Sequence, residues 1–150
     1  MSLEKTIMDK MKAAMKAKDQ GALRTLRAIK SEILKAKTAE GAGGDLSEAD
    51  ELKMLTKMAK QRRDSLAIFK EQGRDDLAQT EQEELSLIEE FLPEQMSEAD
   101  VKSKLEAIIQ KIGANSPKDM GKVMGLAIKE FAGAADGKLI SKLVKELLTK

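Results

Sequence analysis

The sequence predicts an all-α fold in which helical hairpins are followed by a separate three-helix unit. Apolar residues recur with the period of a helix along nearly the whole 150-residue chain. Capping residues, glycine or proline separate one periodic stretch from the next. We expect residues 1–92 to form the hairpins and residues 97–150 to form the three-helix unit.

The first hairpin is predicted over residues 3–37. Asp19 and Gly21 mark its turn, and the glycine-rich segment 41–44 predicts a flexible loop after it. Each helix has one apolar face, made of Leu3, Ile7, Met8, Met11, Ala14 and Met15 in the first helix and of Leu23, Leu26, Ile29, Ile33 and Leu34 in the second.

A second hairpin should turn near Gly73 and end before Pro93. Ser47, with Asp50 three residues later, predicts its capped start. Its apolar positions are Leu52, Leu55, Met58, Ala59, Leu66 and Phe69 in the first helix and Leu77, Leu85, Ile88 and Leu92 in the second.

Two charged residues, Arg62 and Glu81, fall within the apolar faces of this second hairpin. In an antiparallel pair turning near Gly73, Arg62 comes opposite residue 84 and within one turn of Glu81. We therefore expect a partly buried ion pair between Arg62 and either Glu81 or Glu84. A packing ion pair is favoured over a catalytic carboxylate.

Three further helices are predicted after a linker at 93–96. Ser97 should cap the first, Ser116 the second with Pro117 at its first position, and Asp136 the third. Their apolar faces consist of Val101, Leu105, Ile108, Ile109 and Ile112, then Met120, Val123, Met124, Ala127, Ile128 and Phe131, then Leu139, Ile140, Leu143, Val144, Leu147 and Leu148. Three one-sided helices must share one core.

The composition narrows the possible chemistry, because the sequence has no cysteine and no histidine. Disulfides, thiolate nucleophiles, histidine acid–base catalysis and the common zinc sites are thereby excluded. The sequence also has no phosphate-binding GxxxxGK[ST] loop or dinucleotide-binding GxGxxG motif. We predict no catalytic residue, no cofactor and no metal site, although a mechanism that uses carboxylates alone is still open.

Location is predicted to be cytoplasmic, without a membrane association. Charged residues interrupt the first ten positions, so these lack the apolar core of a secretory signal peptide. No apolar run approaches the roughly 18 residues of a membrane span.

Charge is uneven along the chain. Residues 1–38 carry a net charge of +6, residues 39–96 carry −8 and residues 97–150 carry +3. The favoured interpretation is that these blocks contact each other or are solvated. The alternative is that the basic ends serve an acidic partner such as nucleic acid.

A lysine stripe on the last two helices is the most informative polar feature. Lys118, Lys122, Gly125 and Lys129 share one helix face with Gly121 beside them, and Lys138 and Lys142 lie on the final helix. Glycine inside a helix costs roughly 1 kcal/mol relative to alanine, so close approach is indicated. Either another helix packs there, or a nucleic-acid backbone does, assisted by helix N-termini at Pro117 and Gly137. Few aromatic residues argue against base stacking.

Several motifs resemble the YqeY-like family, also called GatB/YqeY. They are KQRRDS at 60–65, GRDDLA at 73–78, EEFLPEQMS at 89–97, SPKDMGKVMG at 116–125 and ADGKLI at 135–140. The family shares its helical region with the tail of the B subunit of glutamyl/aspartyl-tRNA amidotransferase. The resemblance implies a helical N-terminal part followed by a three-helix tail. In the amidotransferase, the tail helps to hold tRNA. It implies no catalytic residues, and it makes Lys118, Gly121, Lys122, Gly125 and Lys138 candidates for RNA contact.

Three functional hypotheses follow. The first is an accessory module that binds tRNA or a tRNA-modifying enzyme complex, with Lys129 and Lys142 joining the candidate contacts. The second, implied by family labels, is an amidotransferase-like protein, a carbon–nitrogen ligase with glutamine as amido donor, or a subunit of one. The third is a structural protein-interaction module.

Overall fold

The computed structural model describes residues 2–39, 43–131 and 133–149, and within them it is all-α, as predicted. These residues form seven α-helices and one short 3-10 turn, and no β-strand. The helices are α1 (Leu3–Lys16), α2 (Gln20–Thr38), α3 (Glu48–Glu71), α4 (Asp75–Glu89), α5 (Glu98–Ile112), α6 (Met120–Phe131) and α7 (Gly137–Leu148), with the 3-10 turn at Pro117–Asp119 before α6. None of the described helices is both long and apolar enough to cross a membrane.

Side chains at the helix starts satisfy backbone N–H groups that a helix leaves unpaired. Before α3, the Ser47 hydroxyl oxygen accepts from the Asp50 N–H, and the same hydroxyl donates to the Asp50 carboxylate at 2.7 Å. Before α2, Asp19 accepts from the N–H of Ala22. In the turn just ahead of it, Lys18 adopts a positive φ of 55°.

The loop between α2 and α3 is only partly described. The predicted flexible segment begins at Gly41, and residues 41 and 42 lie outside the described residues. Gly43 and Gly44 have φ values of 66° and 93°, which glycine adopts without steric cost.

The chain divides into two compact units, residues 1–92 and 93–150. In the first unit, α3 and α4 pair closely, α1 pairs with α2, and α2 packs against α4. The centre of its core is fully buried and consists of Ile7, Leu26, Ile29, Ala59 and Ile88. Sequence periodicity predicts Met8, Met15 and Leu34 on the apolar faces, yet these three side chains are exposed. They lie at the edges of their helix faces, where the described helices cover them only in part.

The second unit has its own, mostly aliphatic core, in which Val101, Leu105, Val123, Ala127 and Val144 are fully buried. Gly113 ends α5 in a left-handed conformation with a φ of 68°.

Two predictions for this unit are wrong. Ser116 makes no capping hydrogen bond, because Pro117 starts a 3-10 turn rather than α6 itself. The Asp119 carboxylate instead accepts from the N–H of Asn115. Ile112 and Ile128, which the sequence pattern predicts on apolar faces, are exposed.

Candidate functional site on helix α6

The outward face of α6 forms one side of an open depression in the second unit. Val123 and Ala127 are completely buried, so residues on the opposite side of α6 must point away from the core. The depression has a volume of about 440 Å³ and is bordered by Ile112, Gly121, Lys122, Gly125, Leu126 and Lys129. The structure thus brings together four of the seven predicted contact residues, Gly121, Lys122, Gly125 and Lys129.

The two glycines of α6 are uncovered. Beyond its chain neighbours and the adjacent backbone of α6 itself, a Cβ atom added to Gly121 or Gly125 would meet no atom of the described chain within 4 Å. Of the two explanations for these glycines, packing by another helix is therefore wrong within the described part of the second unit. The bare backbone is open to a partner.

The other predicted contact residues lie outside this depression. Lys118 is exposed in the 3-10 turn, and Lys138 and Lys142 are exposed on α7. None of the described ion pairs involves Lys118, Lys122, Lys129 or Lys142.

At the start of α7, one of the N–H groups that the sequence suggested would be free is already occupied. The Asp136 carboxylate accepts from the N–H of Lys138 at 3.2 Å. A phosphate at this helix start would therefore meet a negative charge.

Sequence reasoning missed the apolar part of the depression. Leu126 is 44% exposed and Ile112 is 38% exposed, and both border the glycines. Leu126 follows Lys122 by four residues and precedes Lys129 by three, so helical spacing alone places it in the lysine stripe. The position of Leu126 beside the lysines could therefore be predicted from the sequence. The exposure of Ile112 could not, because it depends on how α5 ends.

The first unit contains the predicted ion pair. Arg62 Nε donates to Glu84 Oε2 at 3.2 Å, and Arg24 Nε lies 3.5 Å from Glu84 Oε1. Burial, together with the neighbouring charge of Glu84, raises the pKa of Glu81, while Arg62 opposes this shift. Glu84 therefore links α2, α3 and α4, which supports a packing role for the pair.

A second, larger concavity in the first unit has the opposite electrostatic character. It has a volume of about 820 Å³, and its charged border consists of Asp19, Asp75, Glu83 and Glu90 with a single cation, Lys70. The described residues contain no group of three or more acidic side chains placed to hold a metal ion. The acidic border would repel phosphates, so the α6 depression is the better nucleic-acid candidate.

Comparison with known proteins finds a family model and relatives that share one name. A family model described as Yqey-like protein matches residues 4–148. Relatives of this chain carry the name "Altered inheritance of mitochondria protein 41, mitochondrial". The one from Clavispora lusitaniae is 38% identical over 70% of this chain and 61% of its own length. Those from Pyrenophora tritici-repentis and Candida glabrata are each 32% identical, over 92% and 91% of this chain and 76% and 72% of their own lengths.

These relatives contradict the prediction of a cytoplasmic location, because their names place them in mitochondria. The prediction rested on the lack of an apolar secretory core and of a membrane-spanning run. Those features bear on secretion and membrane insertion, whereas mitochondrial transit peptides are amphipathic and rich in arginine and serine.

Proposed function

We propose that this chain, which belongs to the YqeY-like protein family, is an accessory module. Through its second unit, the module binds either tRNA or an enzyme that acts on tRNA. The observation that carries the proposal is the bare face of α6, where Gly121 and Gly125 lie uncovered beside Lys122 and Lys129. The names of the relatives favour mitochondria over the cytoplasm as the compartment of this function.

A nucleic-acid backbone fits this face for steric and electrostatic reasons. Without a Cβ, two turns of α6 allow a ribose–phosphate chain to approach the helix backbone. Lys118, Lys122 and Lys129 are exposed and have no carboxylate partner among the described ion pairs, so phosphates can replace their counterions. Such contacts recognise the shape of a folded RNA and not its bases.

Titration of fluorescently labelled tRNA with the full chain tests this proposal. If about three phosphates are neutralised, the logarithm of the affinity should fall with the logarithm of salt concentration with a slope of about 2 to 3. The double variant Lys122→Glu/Lys129→Glu should bind at least about tenfold more weakly and with a slope smaller by about 2.

The matched control is Lys53→Glu/Lys57→Glu, which makes the same change of charge at two exposed positions of α3. It should weaken binding by no more than about twofold to threefold, the general effect of net charge. Equal losses in the two double variants, or no tRNA binding by the wild type at low salt, would contradict the proposal.

The apolar border of the depression favours a second candidate function, a protein-interaction module. Leu126 and Ile112 offer aliphatic surface that phosphates do not use. Leu126→Ser separates the candidates. It should leave tRNA binding within about twofold, but it should weaken a complex in which a partner protein buries Leu126.

The alternative of a glutamine-dependent ligase is also testable. We expect no amidated product when the chain is incubated with glutamine, ATP, magnesium and Glu-tRNA or Asp-tRNA. With no cysteine in the sequence, it has no thiol nucleophile to release ammonia from glutamine. Product above an enzyme-free control would favour the ligase and remove the binding-module proposal.

A further inference from the structure

The first unit exposes three large aliphatic side chains along one boundary between two helices. Met8 and Met15 of α1 are 43% and 52% exposed, and Leu34 of α2 is 62% exposed. Scattered exposed aliphatic residues are ordinary on protein surfaces, so their arrangement decides whether they matter.

Helical spacing and one ion pair place these three residues along the same boundary between α1 and α2. In α1, Glu4, Met8 and Met15 lie four and seven residues apart, on one line of the helix surface. In α2, Leu34 lies three residues before Lys37, again on one line. Lys37 Nζ donates to Glu4 Oε2 at 2.6 Å, so the two lines lie beside each other at this end of the hairpin. We call this boundary, with Met8, Met15 and Leu34, the hairpin seam.

Exposed cations border the hairpin seam. Lys12 lies between the two methionines on α1, and Arg27 and Lys30 precede Leu34 on α2 by seven and four residues; all three are exposed. Lys30 also lies close enough to Glu4 to act on it: the pKa of Glu4 is lowered first by the Lys37 hydrogen bond and further by the charge of Lys30. Residues 1–38 together hold ten basic and four acidic side chains, a net charge of +6.

We propose that the hairpin seam binds an acidic amphipathic helix of a partner protein. Two antiparallel helices leave a shallow furrow along their boundary, and a third helix can lay its apolar stripe there. Methionine adapts to varied apolar surfaces, as binding sites for helices require. The cationic border complements glutamate and aspartate on the polar face of the incoming helix and sets its orientation.

A designed peptide tests the hairpin seam directly. The probe is a fluorescent, helix-forming peptide with leucine at a and d positions and glutamate elsewhere, and its control is a scrambled peptide of identical composition. The full chain should bind the probe at least tenfold more tightly than the scramble, and more weakly as salt increases. Met8→Ser/Leu34→Ser should weaken binding at least tenfold while the helical circular-dichroism signal is retained.

Ile68→Ser is the matched control, because Ile68 is 51% exposed on α3 of the same unit. It should leave probe binding within about twofold. Equal binding of probe and scramble, no binding at millimolar concentration, or equal losses in the two serine variants would overturn the proposal. So would binding of the wild type to anionic lipid vesicles that Met8→Ser/Leu34→Ser abolishes while peptide binding is unchanged.

Discussion

The two units use basic side chains differently. In the first unit, Arg62 and Arg24 share Glu84, and Arg63 Nη2 lies 3.0 Å from Glu89 Oε1, so cations of α2 and α3 hold α4 in place. In the second unit, Lys122 and Lys129 lie beside an uncovered helix surface. Charge pattern alone does not separate the two cases. The difference between paired and unpaired cations depends on whether a neighbouring helix places a carboxylate within reach of the basic side chain.

The largest expected effect tests whether the units are independent. Leu105 is fully buried in the second core, so Leu105→Ala should cost about 2–5 kcal/mol of unfolding free energy there. If the units fold separately, which is still a prediction, amide hydrogen exchange should accelerate in residues 93–150 only. Equal acceleration in residues 1–92 would show one cooperative domain.

The next effect concerns the paired cations of the first unit. Glu84→Gln removes the charge that Arg62 and Arg24 share while keeping most of the side-chain volume, and the Glu84 side chain is only 15% exposed. We expect a loss of about 1–3 kcal/mol, the scale of hydrogen bonds to charged groups. Urea denaturation measures it, with Glu83→Gln on the exposed side of α4 as the control. Equal losses would mean that the pairs add no stability.

On the uncovered face of α6, Gly125→Ala should raise stability and weaken tRNA binding. The added methyl group meets open space and favours the helix, so unfolding free energy should rise by about 0.5–1 kcal/mol. A close backbone partner would be pushed away, so tRNA affinity should fall several-fold. Thermal melting and the tRNA titration check the two halves, and a variant that gains stability with unchanged affinity would show that no partner approaches Gly125 closely.

The smallest effect is a pH-dependent one at Glu81. Burial and Glu84 raise the pKa of Glu81 in the folded protein, so its ionisation opposes folding once the pH exceeds the ordinary carboxyl range. Glu81→Gln should therefore stabilise the protein slightly at pH 7, by no more than about 0.5 kcal/mol. The gain should shrink as the pH falls and Glu81 becomes protonated. A gain that is constant from pH 7 to pH 4 would contradict this origin.

Most of the helical pattern could be predicted from the sequence, because caps and breakers act locally. Ser47, Ser97 and Asp136 each cap a helix as expected, and antiparallel geometry was enough to pair Arg62 with Glu84. The extent of each buried face could not be predicted. Periodicity shows which side of a helix is apolar, but the neighbouring helices decide how much of that side they cover.

At the candidate site, too, the sequence did not show which apolar residues are covered. The lysines and glycines of α6 were identified from spacing, while Ile112 was assigned to the core although it is exposed. At the end of a helix, a residue of the apolar face can pass beyond its packing partner. Whether Gly121 was covered also depended on the tertiary arrangement, because a glycine in a helix looks the same in sequence with or without a neighbour.

The aliphatic cores have a consequence for spectroscopy. With no tryptophan or tyrosine in the sequence, the protein absorbs almost no light at 280 nm and has no tryptophan emission. A single Leu126→Trp substitution, at a side chain that is 44% exposed beside the bare glycines, would place the only strong fluorophore in the α6 depression. Its emission would report the arrival of any partner there without background from the rest of the chain.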